Sequence, residues 1–162
     1  MPVTDSPFWH FAIALYKHDA LRQSLLALQD EYQVVILELL FAVWLADQGI
    51  NWRDNARQQS RQQTAPWVDE VIVPLRQLRR RWCANAGRDA GYRHLLAMEL
   101  EAEQHLASLL LAQLPALTPL KATASEALLT ANLAWLETEY AVDVMHSRAL
   151  LAQLAAMCPK IC

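Results

Sequence analysis

Apolar residues recur every three or four positions along most of the chain, and each such run predicts a helix. Ser6 stands as a cap before Pro7, and Phe8, Phe11, Leu15 and Ala12 line one side of the segment that follows. Asp19 reads as the next cap, ahead of Leu21, Leu25 and Leu28 at helical spacing, and Tyr32 and Gln33 mark a bend. From Val34 to Ala46 almost every residue is apolar, with Glu38 inside the run. A stretch so long and so rich in Leu and Ala is a central helix rather than a buried strand, and Gly49 stops it.

The polar pattern changes next. Asn51 and Asp54 resemble a capped start, after which Arg53, Arg57 and Arg61 form a stripe of i,i+4 neighbours on a helix poor in large apolar residues. This helix is expected to be the one most exposed to solvent or most dependent on a partner. Thr64 and Pro66 signal a restart, and Val68, Ile72, Leu75, Leu78 and Trp82 give an apolar face to a helix over about 66–86, with an irregularity at Pro74. A turn at 86–89 leads to a long helix over 89–114 that tolerates Gly91 in its first turn. Pro115 and Pro119 mark the longest connector, near 115–122. Thr123 and Glu126 have capping-box spacing, and 127–157 reads as one helix or two broken ones, ended by Pro159. The expectation is an all-α fold: one domain over residues 1–162, a compact bundle of six or seven helices in orthogonal or up-down arrangement.

Composition sharpens this picture. The hydrophobic share is 54% and the charged share 19%, more apolar surface than one antiparallel seam needs. Either helices pack on several faces or a second chain covers the surplus. No basic segment precedes an apolar run at the start, and the 34–46 run is too short to cross a bilayer core of about 30 Å, so a cytoplasmic protein with no transmembrane segment is expected. The odd set of Cys83, Cys158 and Cys162 argues against a disulfide framework or a zinc knuckle, leaving a redox or metal role for Cys158 and Cys162 as the lesser alternative.

Charge is unevenly placed. Residues 53–93 hold nine Arg, no Lys and a net charge of +5, whereas the segments before and after each carry −4. Segments of one chain with this alternation attract one another, so an anionic partner is not required.

Three motifs stand apart from the periodicity. Phe8, Trp9 and Phe11 form a Phe-Trp-x-Phe motif ahead of Tyr16; Leu28, Gln29 and Asp30 lead into the apolar helix; and Trp67 precedes Pro74, Leu75, Arg76, Arg79 and Arg80 in a Pro-Leu-Arg-x-x-Arg-Arg segment. Over roughly the first 85 residues the chain thereby resembles a bacterial family known as domain of unknown function 2390. The family pattern has a Gly-x-Asp-Val-Asn stretch after Leu-Gln-Asp and a Cys before it. Here the stretch holds Gln33, Val35, Ile36 and Leu37, and Ser24 takes the place of the Cys. The resemblance implies a helical domain and no particular activity, and it implies that a function carried by those polar residues would be lost here.

Candidate chemistry follows from the charged and aromatic positions. Asp143-x-x-His146, with Glu139 a turn earlier and Glu103 and His105 on another helix, approaches the carboxylate and imidazole set of a metal-binding bundle, but only one pair has the spacing that points both ligands inward. Glu38, if buried, needs a partner, and Arg76 or Arg79 is the expected mate. Arg76, Arg79 and Arg80 with Trp82, joined by Arg53, Arg57 and Arg61, could clamp phosphates and stack on a base, although no recognition-helix signature accompanies them. Phe8, Trp9, Phe11 and Tyr16 are docking aromatics. Adjacent helix positions point about 100° apart, so one of the first three must meet a second helix, a subunit or solvent.

No Gly-rich phosphate loop, G-x-S-x-G elbow or H-E-x-x-H motif occurs, and no cofactor is implied. The preferred reading is a protein-interaction or structural module, self-association included. Nucleic-acid binding through the Arg-rich middle and a metal-dependent enzyme are the alternatives.

Overall fold

The computed structural model describes residues 1–161, and Cys162 lies outside the described residues together with the expectation placed on it. At its centre runs α3, Ile36–Asp47, in which every residue from Glu38 to Asp47 is buried. A helix apolar on all sides must be enclosed on all sides. Around it lie α1, Pro7–Tyr16, and α2, Asp19–Tyr32, with α4, Asn55–Trp67, continuing through a π turn, Val68–Ile72, into α5, Val73–Ala86. Next come α6, Ala90–Leu111, the single-turn α7, Leu114–Leu117, then α8, Glu126–Leu133, α9, Trp135–Tyr140, and α10, Val144–Met157. The described residues form no strand beyond one isolated bridge, Ile50 to Lys121.

The all-α expectation holds, with more segments than the six or seven anticipated. Counting the run from α4 to α5 as one rod and setting aside α7 leaves eight. The expected last helix is three: Ala134 ends α8, and Ala141 in the left-handed region (φ 54°) separates α9 from α10. Ser125, not Thr123, caps α8, its Oγ accepting from the Leu128 N–H at 3.1 Å. The expected break at Thr64 and Pro66 is absent, because both lie within α4. The irregularity falls just before Pro74, where the Val73 N–H reaches back five residues to the Val68 carbonyl; the widened turn precedes a residue with no N–H to offer.

Several local signals act as read. Ser6 Oγ accepts from the Trp9 N–H at 3.1 Å and sets the start of α1. Gly49 ends α3 with φ 70°, and a Cβ there would stand 2.6 Å from the Ala122 carbonyl oxygen. That approach lets Ala122 N–H donate to the Gly49 carbonyl at 2.7 Å and Asn51 N–H to Leu120 at 2.9 Å, tying the Pro-containing connector to the end of the central helix. Asn132 of α8 completes the junction: its amide accepts from the Trp52 N–H at 2.8 Å and donates to the Ile50 carbonyl at 2.9 Å.

One part stands apart from this core. From Val73 to Met98, the length of α5 and the first half of α6, not one residue is buried. The two helices form a hairpin arm whose turn is fixed by Trp82, which donates from Nε1 to Asp89 at 2.7 Å and lies against Gly91 so closely that a Cβ there would overlap the indole. Trp82 is thereby occupied in holding the arm's turn, a different task from the base stacking considered for it.

Candidate functional site

Two arginine–glutamate clusters organise the molecule. The first begins with Glu38 on α3, which is wholly buried. A carboxylate there requires charge and hydrogen bonds, and α4 supplies both. Arg57 Nη1 donates to Glu38 Oε2 at 3.0 Å, Arg61 Nη1 to the same oxygen at 3.4 Å, and Thr64 Oγ1 to Oε1 at 2.7 Å. The mates expected for Glu38, Arg76 and Arg79, are elsewhere. Arg57 has a side chain only 3% exposed; it also reaches Glu139 at 3.2 Å and lies over the rings of Trp52 and Trp135, at 4.8 and 4.0 Å from their centroids.

The expected exposed arginine stripe is therefore divided, with Arg57 turned inward. Arg57, Ser60 and Thr64 are the buried face of α4, while Arg53 stays exposed near Asp54 and Arg61 lies between. The helix lacks an apolar stripe because its docking face is polar.

The second cluster joins the arm to the core. Arg76 Nε donates to Glu99 at 2.8 Å and Arg76 Nη2 to Glu103 at 3.3 Å, and Arg79 makes a close ion pair with Glu99. Burial pushes the Glu99 carboxyl up, but hydrogen bonds from Arg79 and Arg76 outweigh it and hold the group below the usual carboxylate range. Glu103 behaves oppositely: burial, with Glu99 nearby and Arg76 opposing, raises it. The Tyr16 phenol is likewise raised, by burial first and by Glu103 second.

Above this cluster opens a groove. Trp9, Ile13 and Tyr16 of α1, Gln29 of α2, Leu37 and Leu40 of α3, and Leu100 and Glu103 of α6 line an inner pocket of 240 Å³. An outer cleft of 420 Å³ shares Tyr16, Gln29, Leu100 and Glu103 and adds Leu26, Leu96, Arg79 and Arg93. Ile13, Leu26, Leu96 and Leu100 are exposed along its rim. Motifs that are far apart in sequence meet here. Trp9 and Tyr16 come from the first, Gln29 from the second and Arg79 from the third, while Asp30 forms a close ion pair with Arg80 that clamps α2 to α5.

The remaining candidates separate. Phe8 faces the core, 5.1 Å from Phe41 and 5.6 Å from Trp44 between ring centroids, and Phe11 is partly buried against the same core, so Trp9 is the member that reaches the groove. Of the proposed metal ligands, Glu103 is at the groove and His105 stacks on Trp67 at 4.3 Å. Glu139 pairs with Arg57, while Asp143 caps α10 through the Met145 N–H at 2.8 Å and His146 Nδ1 meets the Tyr32 hydroxyl at 3.3 Å. Among the described residues no three His, Cys, Asp or Glu side chains are grouped as a metal ion requires, which tells against the metal set held as an alternative.

Sequence reasoning did not select Gln29 or Leu100 as site residues. The signal was present for the second cluster, since Glu99 and Glu103 share a helix face by i,i+4 spacing and could be matched to Arg76 and Arg79.

Fold and site together define an all-α protein with an amphipathic groove at the foot of a helical arm. The chain belongs to the family described as Protein of unknown function (DUF2390), whose model matches residues 7–110. The match runs further than the first 85 residues and takes in every residue lining the groove, whereas α7 to α10 lie beyond it. No curated protein and no solved structure matches the chain.

Proposed function

We propose that this chain is a protein-interaction module and that the groove between α1, α2, α3 and α6 is its docking surface. One observation carries the reading: residues of three separated motifs come together on a groove rimmed by four exposed large aliphatic side chains, Ile13, Leu26, Leu96 and Leu100. Apolar side chains gathered around a concave site are the usual mark of a surface that another molecule covers. The arginines support this reading over nucleic-acid binding. Arg57, Arg61, Arg76, Arg79 and Arg80 each spend their charge on a carboxylate of the same chain, so little of the +5 segment is left to neutralise phosphates. No described helix is long and apolar enough to cross a membrane, so the exposed aliphatics have no spanning segment to belong to.

Photo-cross-linking in cells tests the proposal. A benzophenone amino acid at Ile13 or Leu100 is expected to give discrete protein adducts, and the same residue at exposed Glu137 on α9 is not. Adducts of equal yield at all three positions, or none at the rim, would defeat it.

A further inference from the structure

The groove's polar groups specify what kind of segment it receives, an inference that rests on the interaction reading above. Gln29 is 9% exposed and lines both the inner pocket and the outer cleft. Its side-chain amide makes no hydrogen bond within the described residues. The amide is not sealed off from solvent, so at the junction of the two cavities its donor and acceptor are free to meet a group that enters the groove. A primary amide presents a donor and an acceptor in one plane, which is the complement of a peptide group.

Glu103 adds charge selection. It is the sole charged residue lining the inner pocket. Its Oε1 accepts from Arg76 at 3.3 Å, its second oxygen takes no hydrogen bond, and the side chain is 34% exposed toward the groove. Arg76 is meanwhile more tightly engaged by Glu99 at 2.8 Å. Arg79 and Arg93 stand in the outer cleft, so a cationic group is favoured where it approaches Glu103 through the inner pocket, whose other lining residues carry no charge. Beside it, Trp9, Ile36, Leu37 and Leu40 leave an apolar hollow of 240 Å³, room for one or two large side chains.

We infer that the groove binds a peptide segment of a partner protein in which a large apolar side chain fills the pocket beside Trp9, a nearby Lys or Arg faces Glu103, and a main-chain amide pairs with Gln29. Recognition is then divided among three places: the hollow selects an apolar anchor, the carboxylate selects a positive charge, and the amide accepts any sequence in an orientation that presents its backbone. Leu100, on α6 one turn before Glu103, forms the lip that both the anchor and the base must pass.

The test selects 12-residue phage-displayed random peptides on the immobilised full-length chain, then measures fluorescein-labelled versions of the enriched sequences by anisotropy. Enriched peptides are expected to pair a large apolar residue with Lys or Arg within about one helical turn or its extended equivalent. Changing that base to Gln, or Glu103→Gln in the protein, is expected to weaken binding about tenfold each, and the two together no more than either alone, because they remove one interaction. Leu100→Lys, at an exposed position that the core does not need, is expected to weaken it further. No enrichment, enrichment without a basic residue, or additive effects of the two changes would overturn the inference. Rim cross-links in cells without the basic signature would keep the docking surface and remove this occupant. Coupled peptide binding without rim cross-links would remove the cellular role while leaving the groove's selectivity intact.

Discussion

Glu38 and Glu99 each sit on one helix and receive two arginines from another, yet the two clusters do different work. Around Glu38 the carboxylate and its nearest cation are enclosed: Arg57 is held between two indoles and Thr64 closes the second carboxylate oxygen, while Arg61 and Glu139 remain partly open to solvent at a surface cleft. Around Glu99 neither guanidinium is covered as fully as Arg57, and the chain adds a second carboxylate, Glu103, that opens onto a groove. The same residue types, with arginines at i,i+4 in one cluster and i,i+3 in the other, thus make a polar interior in one place and the floor of a groove in the other. What separates them is the cladding, two indoles over Arg57 in the first, aliphatic and interrupted in the second.

The sharpest way to break this contrast is to remove one charge from each cluster. Arg57→Ala leaves Glu38 in an enclosed site with Arg61 at 3.4 Å as its remaining cation, and it empties the space between Trp52 and Trp135. Breaking a buried pair in this way costs about 3–5 kcal/mol, and urea denaturation is expected to show a loss of that order. A loss below about 1 kcal/mol would mean that the α3–α4 contact behaves like a surface pair.

Glu99→Gln is expected to cost less, about 1–3 kcal/mol, because Arg76 keeps Glu103 and both arginines can turn toward water. The loss should come with a looser arm: amide exchange is expected to quicken in α5 and the first half of α6 and to stay slow in α3, which the arm does not enclose. Equal acceleration in both would show that the arm and core unfold as one unit.

Most of the fold was legible because its signals are local. The unbroken apolar run of α3, the Ser6 cap and the Gly49 stop each depend on neighbours within a turn or two, and each does what the pattern says. Gln33 also marks its bend as read, adopting the left-handed region (φ 61°) where the family pattern has Gly; the backbone need persists although the residue best suited to it is gone. The misreadings share a different cause. Polarity usually means exposure, so the pattern places the arginine stripe of α4 at the surface, and only the three-dimensional position of Glu38 shows that this helix docks by its polar face. Which arginines pair with which glutamates is set by long-range packing, so the expected partnership of Glu38 with Arg76 or Arg79 had no local signal to correct it. The groove was hidden for the same reason, since Gln29 and Leu100 become neighbours only when α2 and α6 are packed together.

The finest distinction between the clusters is in the sign of their pH dependence. Glu99, held below the usual carboxylate range, contributes stability that is present above its unfolded pKa and is lost as pH falls through its folded one. Glu103, raised by burial, does the reverse: the folded chain binds its proton more tightly than the unfolded chain, so its contribution declines as pH rises from the unfolded to the folded value. Glu103→Gln deletes that decline. Urea denaturation across the acid-to-neutral range is expected to show the variant gaining on the native chain as pH rises, by an amount below about 1 kcal/mol because the side chain is partly solvated. A variant that instead falls behind with rising pH would mean that Arg76 stabilises the Glu103 carboxylate more than burial destabilises it. Glu103 would then belong with Glu99 as a tie for the arm, and the groove would lose the charge that sets it apart from the enclosed cluster at Glu38.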